Sequence, residues 1–432
     1  MNQRFLSRSG ALVVLVLLAA GAAGAWAGGI ERRVALLLGD QEVPAVATAA
    51  FGCATLEIDT CTNTLSYYIT YGGLSSAESA AHIHGASLPG VNAGVLHPLP
   101  AGNPKVGVWN YPQSREADLL EGRMYVNVHT AMHGGGEIRG QIVTHVAILD
   151  GDQENPPTGS AGTGWAVGNL DPDAMTLSYH VVFGGLGTAE TAAHIHGISA
   201  HGTNSGVLHP LPAGSPKVGA WNYAAAQEQA ILDGSIYINV HSVGFGGGEI
   251  RGQFTPLVVP IDSTQETPPL AIGSAAGCGL FSLNRPVDEL GYDIRSTGLT
   301  TAETAAHIHG YAARGVPVGV VHPLPAGARK LGVWNYPAAN EGMILDGLTY
   351  VNIHTAMHGG GEIRGQIDFF PPTPCPGDLD CNGVVDLTDL AIQLANFGTT
   401  VGATYCDGDI DGDGDIDLTD LALLLAVFGT SC

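Results

Sequence analysis

The chain has 432 residues, and its 62 Gly and 25 Pro make up about a fifth of it, where average usage is about an eighth, which argues against long helices. Only 13% of residues are charged but 45% are hydrophobic, enough to bury a core and to exclude wholesale disorder. Lys and Arg total 16 against 40 Asp and Glu, a net charge of −24 that repels phosphate backbones and anionic surfaces and removes nucleic acid as a partner.

In chain order, Arg4 and Arg8 precede an apolar run from Ala11 to Ala20 and a small-x-small triplet, Ala25-Trp26-Ala27. That pattern predicts a signal peptide over residues 1–27. The run is too short to span a bilayer, and no later segment is long and apolar enough, so a secreted or cell-surface protein without a mature transmembrane segment is expected. Export makes disulfides the expected state of cysteine. Cys53 and Cys61 flank one short stretch and are expected to close a hairpin; Cys375, Cys381, Cys406 and Cys432 crowd the last 58 residues; Cys278 is left over.

The sequence then repeats itself three times, over residues 30–145, 146–257 and 258–370. Ala81-His82-Ile83-His84-Gly85 returns at Ala193 and Ala306, Tyr125-Val126-Asn127-Val128-His129 at Tyr237 and Tyr350, and Gly136-Glu137-Ile138-Arg139-Gly140-Gln141 at Gly248 and Gly361. A period above 100 residues is a domain length, which predicts beads on a string. Two-residue alternation marks strands at 64–71, 123–129 and 137–143, with one short helix near 116–120. The expected fold class is mainly β: three tandem Greek-key β-sandwich domains, followed by a small α-helical calcium-binding module. Trp109, Trp221 and Trp334 read as core rather than as a sugar-stacking platform.

The blocks opening with Gly39-Asp40-Gln41-Glu42-Val43-Pro44 and running through Ala-His-Ile-His-Gly to Gly-Glu-Ile-Arg-Gly-Gln resemble the CHRD domain. The resemblance covers nearly the whole of each copy and implies an extracellular β domain with no defined biochemical activity.

Twelve of the 17 His occupy four repeated positions: His82, His84, His97 and His129, then His194, His196, His209 and His241, then His307, His309, His322 and His354. His-x-His on a strand points both imidazoles to one face, and a third would complete a set suited to zinc or copper. The order of these His with Arg139 also resembles the copper site of copper/zinc superoxide dismutase, which implies a copper ion with Arg139 steering a small anion. The competing reading makes the His buried hydrogen-bond donors, with Glu137 and Asn127 as partners. Glu137 and Arg139 are expected to form a surface or interstrand ion pair.

A Pro-rich linker, 371–374, leads to a tail over 375–432 that holds 11 Asp and no Glu, Lys or Arg. Asp378, Asp380, Asn382, Val384, Asp386 and Asp389 supply oxygens at calcium-loop positions 1, 3, 5, 7, 9 and 12, with Gly383 at position 6. Asp409, Asp411, Asp413, Asp415, Asp417 and Asp420 repeat them with Gly414, so two calcium ions are expected. Helical patterns follow at 390–397 and 421–428, stopped by Gly398 and Gly429. With Asp at position 12 and no entering helix, the tail resembles the type I dockerin module, which implies docking to a cohesin-like protein.

These features favour a secreted, non-catalytic binding or scaffold protein with an extracellular protein partner. Two alternatives stand beside it: a copper-dependent superoxide dismutase-like enzyme, and an accessory component of a polysaccharide-degrading complex with carbohydrate as partner. No catalytic residue is assigned.

Overall fold

The computed structural model describes residues 29–369, 377–380, 384–411 and 414–430. The expected signal peptide and linker, and Cys375, Cys381, Asn382, Asp413 and Cys432, lie outside the described residues.

The first repeat forms eight strands: β1 (Ile30–Leu38), β2 (Phe51–Asp59), β3 (Thr64–Gly72), β4 (Glu78–Gly85), β5 (Val95–Pro98), β6 (Lys105–Asn110), β7 (Met124–Thr130) and β8 (Ile138–Ile142). They pair antiparallel in the order β5-β4-β7-β8-β1-β2-β3-β6, and the other two repeats have the same order. The expected sandwich of two separate sheets becomes one continuous sheet. Its halves wrap a shared core that includes Leu37, Leu56, Ile69, Ile83, Val126 and Ile138. They join at a narrow seam between β1 and β8, where the strand pairing is Leu38 with Arg139 and a bridge joins Val34 to Val143. Trp109 is buried in that core, and the short helix α1 (Glu116–Leu120) adds Leu119 and Leu120. Its counterparts are α2 (Glu228–Leu232) and α3 (Glu341–Leu345).

The repeats are not beads on a string. A further core draws Val34, Leu36 and Cys53 from the first, Val146, Trp165 and Val167 from the second, and Val258, Cys278 and Leu280 from the third. Strand register explains it: Cys53 lies opposite Leu36, Trp165 opposite Ile148 and Cys278 opposite Pro260. One position of the repeat therefore meets its own copies at a common centre. Polar contacts close the ring: Tyr68 donates to Asp262 at 2.6 Å, Asn169 to the Leu120 carbonyl at 2.7 Å, and Asp150 takes ion pairs from Arg295 at 3.1 Å and Arg329 at 3.0 Å.

The cysteines correct the sequence reading. Cys53 bonds Cys278, across 225 residues, and Cys61 bonds Cys406, across 345. Cys53 and Cys61 close no hairpin because they sit at opposite ends of β2 and its turn, and Cys278 is not left over. The second bridge ties the first repeat to the tail.

In the tail, α4 (Leu387–Asn396) and α5 (Leu418–Val427) begin three residues before the expected patterns. Asp386 and Asp417 cap them, accepting from the backbone N–H of Thr388 at 2.7 Å and Thr419 at 2.6 Å, which supplies orphan donors of the first turn with a partner. Gly398 and Gly429 end them at φ +91° and +82°.

Removing the Cys53–Cys278 bridge with the C53A/C278A pair should lower stability to unfolding, by up to about 5 kcal/mol on the loop-entropy argument for so long a closed loop. Non-reducing peptide mapping should recover the Cys53–Cys278 and Cys61–Cys406 peptides; a Cys53–Cys61 peptide would contradict the ring.

Candidate metal centre

On β4, Ala81 and Ile83 face the core, so the period-two alternation turns His82 and His84 to the outer face. On β7, Val126 and Val128 do the same for Tyr125, Asn127 and His129. Pairing sets His84 opposite Tyr125 and His82 opposite Asn127, and the same unbroken register sets His129 opposite Ala80, diagonal to His82 on the outer face. Ring centroids lie 5.5 Å apart for His82 and His84, 5.0 Å for His82 and His129 and 5.8 Å for His84 and His129. One nitrogen from each lies within 4.8 Å of the other two, and the same holds for His194, His196 and His241 and for His307, His309 and His354.

The hydrogen bonds fix which nitrogens are free. His84 Nδ1 is 2.9 Å from the Ala93 carbonyl and His129 Nδ1 is 3.1 Å from that of Gly134. A carbonyl only accepts, so both Nδ1 atoms carry the proton and both Nε2 atoms present lone pairs. Those Nε2 atoms, and His82 Nδ1, are buried without a hydrogen-bond partner. The third repeat leaves His307 Nδ1, His309 Nε2 and His354 Nε2 free in the same way, with Val318 and Gly359 as the carbonyls. In the second, Ser205 and Gly246 take those places, His196 Nε2 is free, and His194 Nδ1 faces His241 Nε2 at 3.2 Å. Burial lowers the pKa of His82 and His84, with His129 adding to the effect, which favours the neutral form that binds metal.

His97 does not join. It pairs with Ile83 in register, which turns it inward, stacked on Trp109 at 5.3 Å; His209 and His322 stack likewise on Trp221 and Trp334. Arg139 is no anion guide at the mouth: its guanidinium lies 3.5 Å over the Tyr125 ring, fully buried. His84 stacks on the same tyrosine at 4.9 Å. Nor do Glu137 and Arg139 pair at the surface. Glu137 is buried and accepts from Ser75 N–H, Ser75 Oγ, Thr130 Oγ and Thr48 Oγ, each at 2.8 Å. Burial raises its pKa, but these bonds outweigh it and hold it below the usual carboxylate range.

A family model of the CHRD domain matches residues 33–142, 145–254 and 257–367, most of the chain. The chain belongs to the CHRD domain family. It is 29% identical over 293 residues to chordin of Xenopus laevis, covering 60% of this chain and 30% of that protein. To chordin of Danio rerio it is 26% identical over 285 residues, covering 58% and 30%. The chain thus spans about a third of the length of these curated relatives. No solved structure matches it.

The tail brings Asp378, Asp380 and Asp389 together, and Asp409, Asp411 and Asp420. Asp389 and Asp420 are buried and tie each loop to its helix: Asp389 accepts from the backbone N–H of Leu379 at 2.6 Å and Asp386 at 2.7 Å, and Asp420 from Ile410 at 2.8 Å and Asp417 at 2.9 Å.

Sequence reasoning missed the role of Glu42. It receives Asn127 Nδ2 at 3.5 Å, and Gly136, at φ +126°, gives both room, since a Cβ there would collide with Asn127 and Glu42. The repeated Gln-Glu and Gly-Glu-Ile-Arg blocks of CHRD were the signal, but only the fold brings them together. Burial pushes Glu42 up to about 7, against the pull of Arg139 and the Asn127 bond, and Glu154 and Glu266 likewise.

A carboxyl with a raised folded pKa contributes stability that is fully present below its unfolded value and lost as pH rises through the folded one. Urea unfolding at pH 5 and pH 8 should show wild type losing on the order of 1 to 3 kcal/mol per site relative to E42Q/E154Q/E266Q. A difference independent of pH would sink the assignment.

Proposed function

We propose that this CHRD protein is an exported, non-catalytic binding protein in which each repeat holds one copper or zinc ion, and whose calcium-loaded tail serves as its attachment module. The observation that carries the reading is the convergence, in each repeat, of three imidazoles, two of which have their other ring nitrogen pinned to a backbone carbonyl. Buried nitrogens without partners are uncommon, and carbonyl-oriented imidazoles are what metal ligation requires. Three imidazole nitrogens suit copper or zinc and leave a coordination position open. His82, His84 and His129 would hold the ion in the first repeat, His194, His196 and His241 in the second, and His307, His309 and His354 in the third. Export is supported by the N-terminal pattern, and no helix among the described residues is long and apolar enough to cross a membrane.

The copper enzyme reading loses one of its four imidazoles, His97, which stacks on Trp109, and its anion guide, because Arg139 lies over the Tyr125 ring. Cohesin docking, a polysaccharide-degrading complex and a carbohydrate partner rest on the dockerin-like loop pattern alone. Calcium itself is supported by the convergence of the loop carboxylates.

Elemental analysis of the full chain should find about three transition-metal ions, one per three-imidazole site. The H84A/H196A/H309A variant should bring that close to zero, whereas H97A/H209A/H322A should keep it. Equal loss in both variants, or wild type below about one ion per chain, overturns the reading. For the tail, chelating calcium should speed amide exchange across α4 and α5 while leaving the repeats protected; unchanged exchange overturns the calcium assignment.

A further inference from the structure

We propose that each three-histidine centre is a docking point for an acidic segment of a partner protein: a carboxylate from the partner completes the coordination, and its apolar neighbours settle on an apolar rim around the site. The proposal rests on the metal reading above and adds the chemistry of what binds there.

The first ground is charge. The ligand groups contain three histidines and no Asp or Glu, so a divalent ion brings two positive charges that its own ligands leave uncompensated. Glu42 is turned to Asn127 beneath Gly136. An anionic ligand is therefore favoured over a neutral imidazole, and a carboxylate oxygen is a common zinc ligand. His82 and His129 are partly exposed, so the cluster lies next to the surface.

The second ground is the rim. Ala93, which orients His84, belongs to the loop between β4 and β5, and that loop exposes Leu88 at 54% and Val91 at 53%. Gly134, which orients His129, belongs to the loop after β7, which exposes Met132 at 67%. The equivalent loops expose Ile198 and Val243 in the second repeat, and Val316 and Met357 in the third. Exposed apolar side chains on the two loops that hold the ligands, in every copy, mark a binding surface more than scattered single residues would. The net charge of −24 repels an acidic partner at long range, so recognition comes from the bond made at contact rather than from steering. Three centres on repeats that share one core give a multivalent partner avidity.

The test uses the full chain loaded with cobalt(II), whose visible spectrum reports its coordination, and three probes: acetyl-Leu-Glu-Leu-amide, acetyl-Leu-Gln-Leu-amide and acetyl-Gly-Glu-Gly-amide. The first should shift the cobalt bands, and the other two should bind at least ~10-fold more weakly, since each lacks one of the two contacts. The double variant Leu88→Ser with Met132→Ser should erase the advantage of the leucine peptide at the first repeat, with its cobalt retained. Cobalt bound but no response to any peptide overturns the docking proposal and leaves the metal reading standing. Equal response to both glutamate peptides overturns the rim. Failure to bind cobalt overturns the metal reading itself.

Discussion

Everything in the candidate site depends on the two-residue alternation of β4 and β7. Ala81, Ile83, Val126 and Val128 are buried on the inner face, and a slip of one residue would turn them all outward, so the register is strongly held. The outer residues inherit that precision. His84 is stacked on Tyr125 because the two are cross-strand neighbours, and Arg139 reaches the other face of the same ring from β8. The core thus fixes the strands, and the strands fix the imidazoles. Two loop carbonyls then choose which nitrogen each of His84 and His129 offers.

The ring of repeats adds a second level of order. At the shared centre the repeat presents Cys53, Trp165 and Cys278, so two copies are joined covalently and the third fills the space with an indole. A string of flexibly linked domains would spread its binding sites over many arrangements. A closed ring holds three centres in one arrangement, which reduces the ordering cost of multivalent contact. The Cys61–Cys406 bridge extends this to the tail.

Much of this was legible in the sequence because it is local. Strands, α1 and the tail helices follow from alternation, apolar periodicity and glycine stops, and His-x-His declares a shared face through its spacing alone; the capping role of Asp386 and Asp417, read as calcium-loop positions, starts those helices a turn earlier. What was not legible depends on long-range pairing. His97 belongs to the same repeated block as a ligand would, but its pairing with Ile83 turns it away from the cluster and onto Trp109. Glu137 and Arg139 sit two residues apart and invite an ion pair; the fold instead gives the carboxylate to Ser75, Thr130 and Thr48 and the guanidinium to Tyr125. Cys53 and Cys278 are separated by 225 residues, and their meeting follows from the association of whole repeats, which no short pattern encodes.

The central claim is that three imidazoles, and nothing else from the chain, hold each ion. X-ray absorption at the metal edge of the full chain, loaded with copper or zinc after the tail has been saturated with calcium, tests it most directly. The account predicts about three imidazole nitrogens at about 2.0 Å per ion, with the characteristic outer-shell scattering of the rings. A first shell of oxygens alone, or one that is unchanged when His84, His196 and His309 are replaced by alanine, would contradict it.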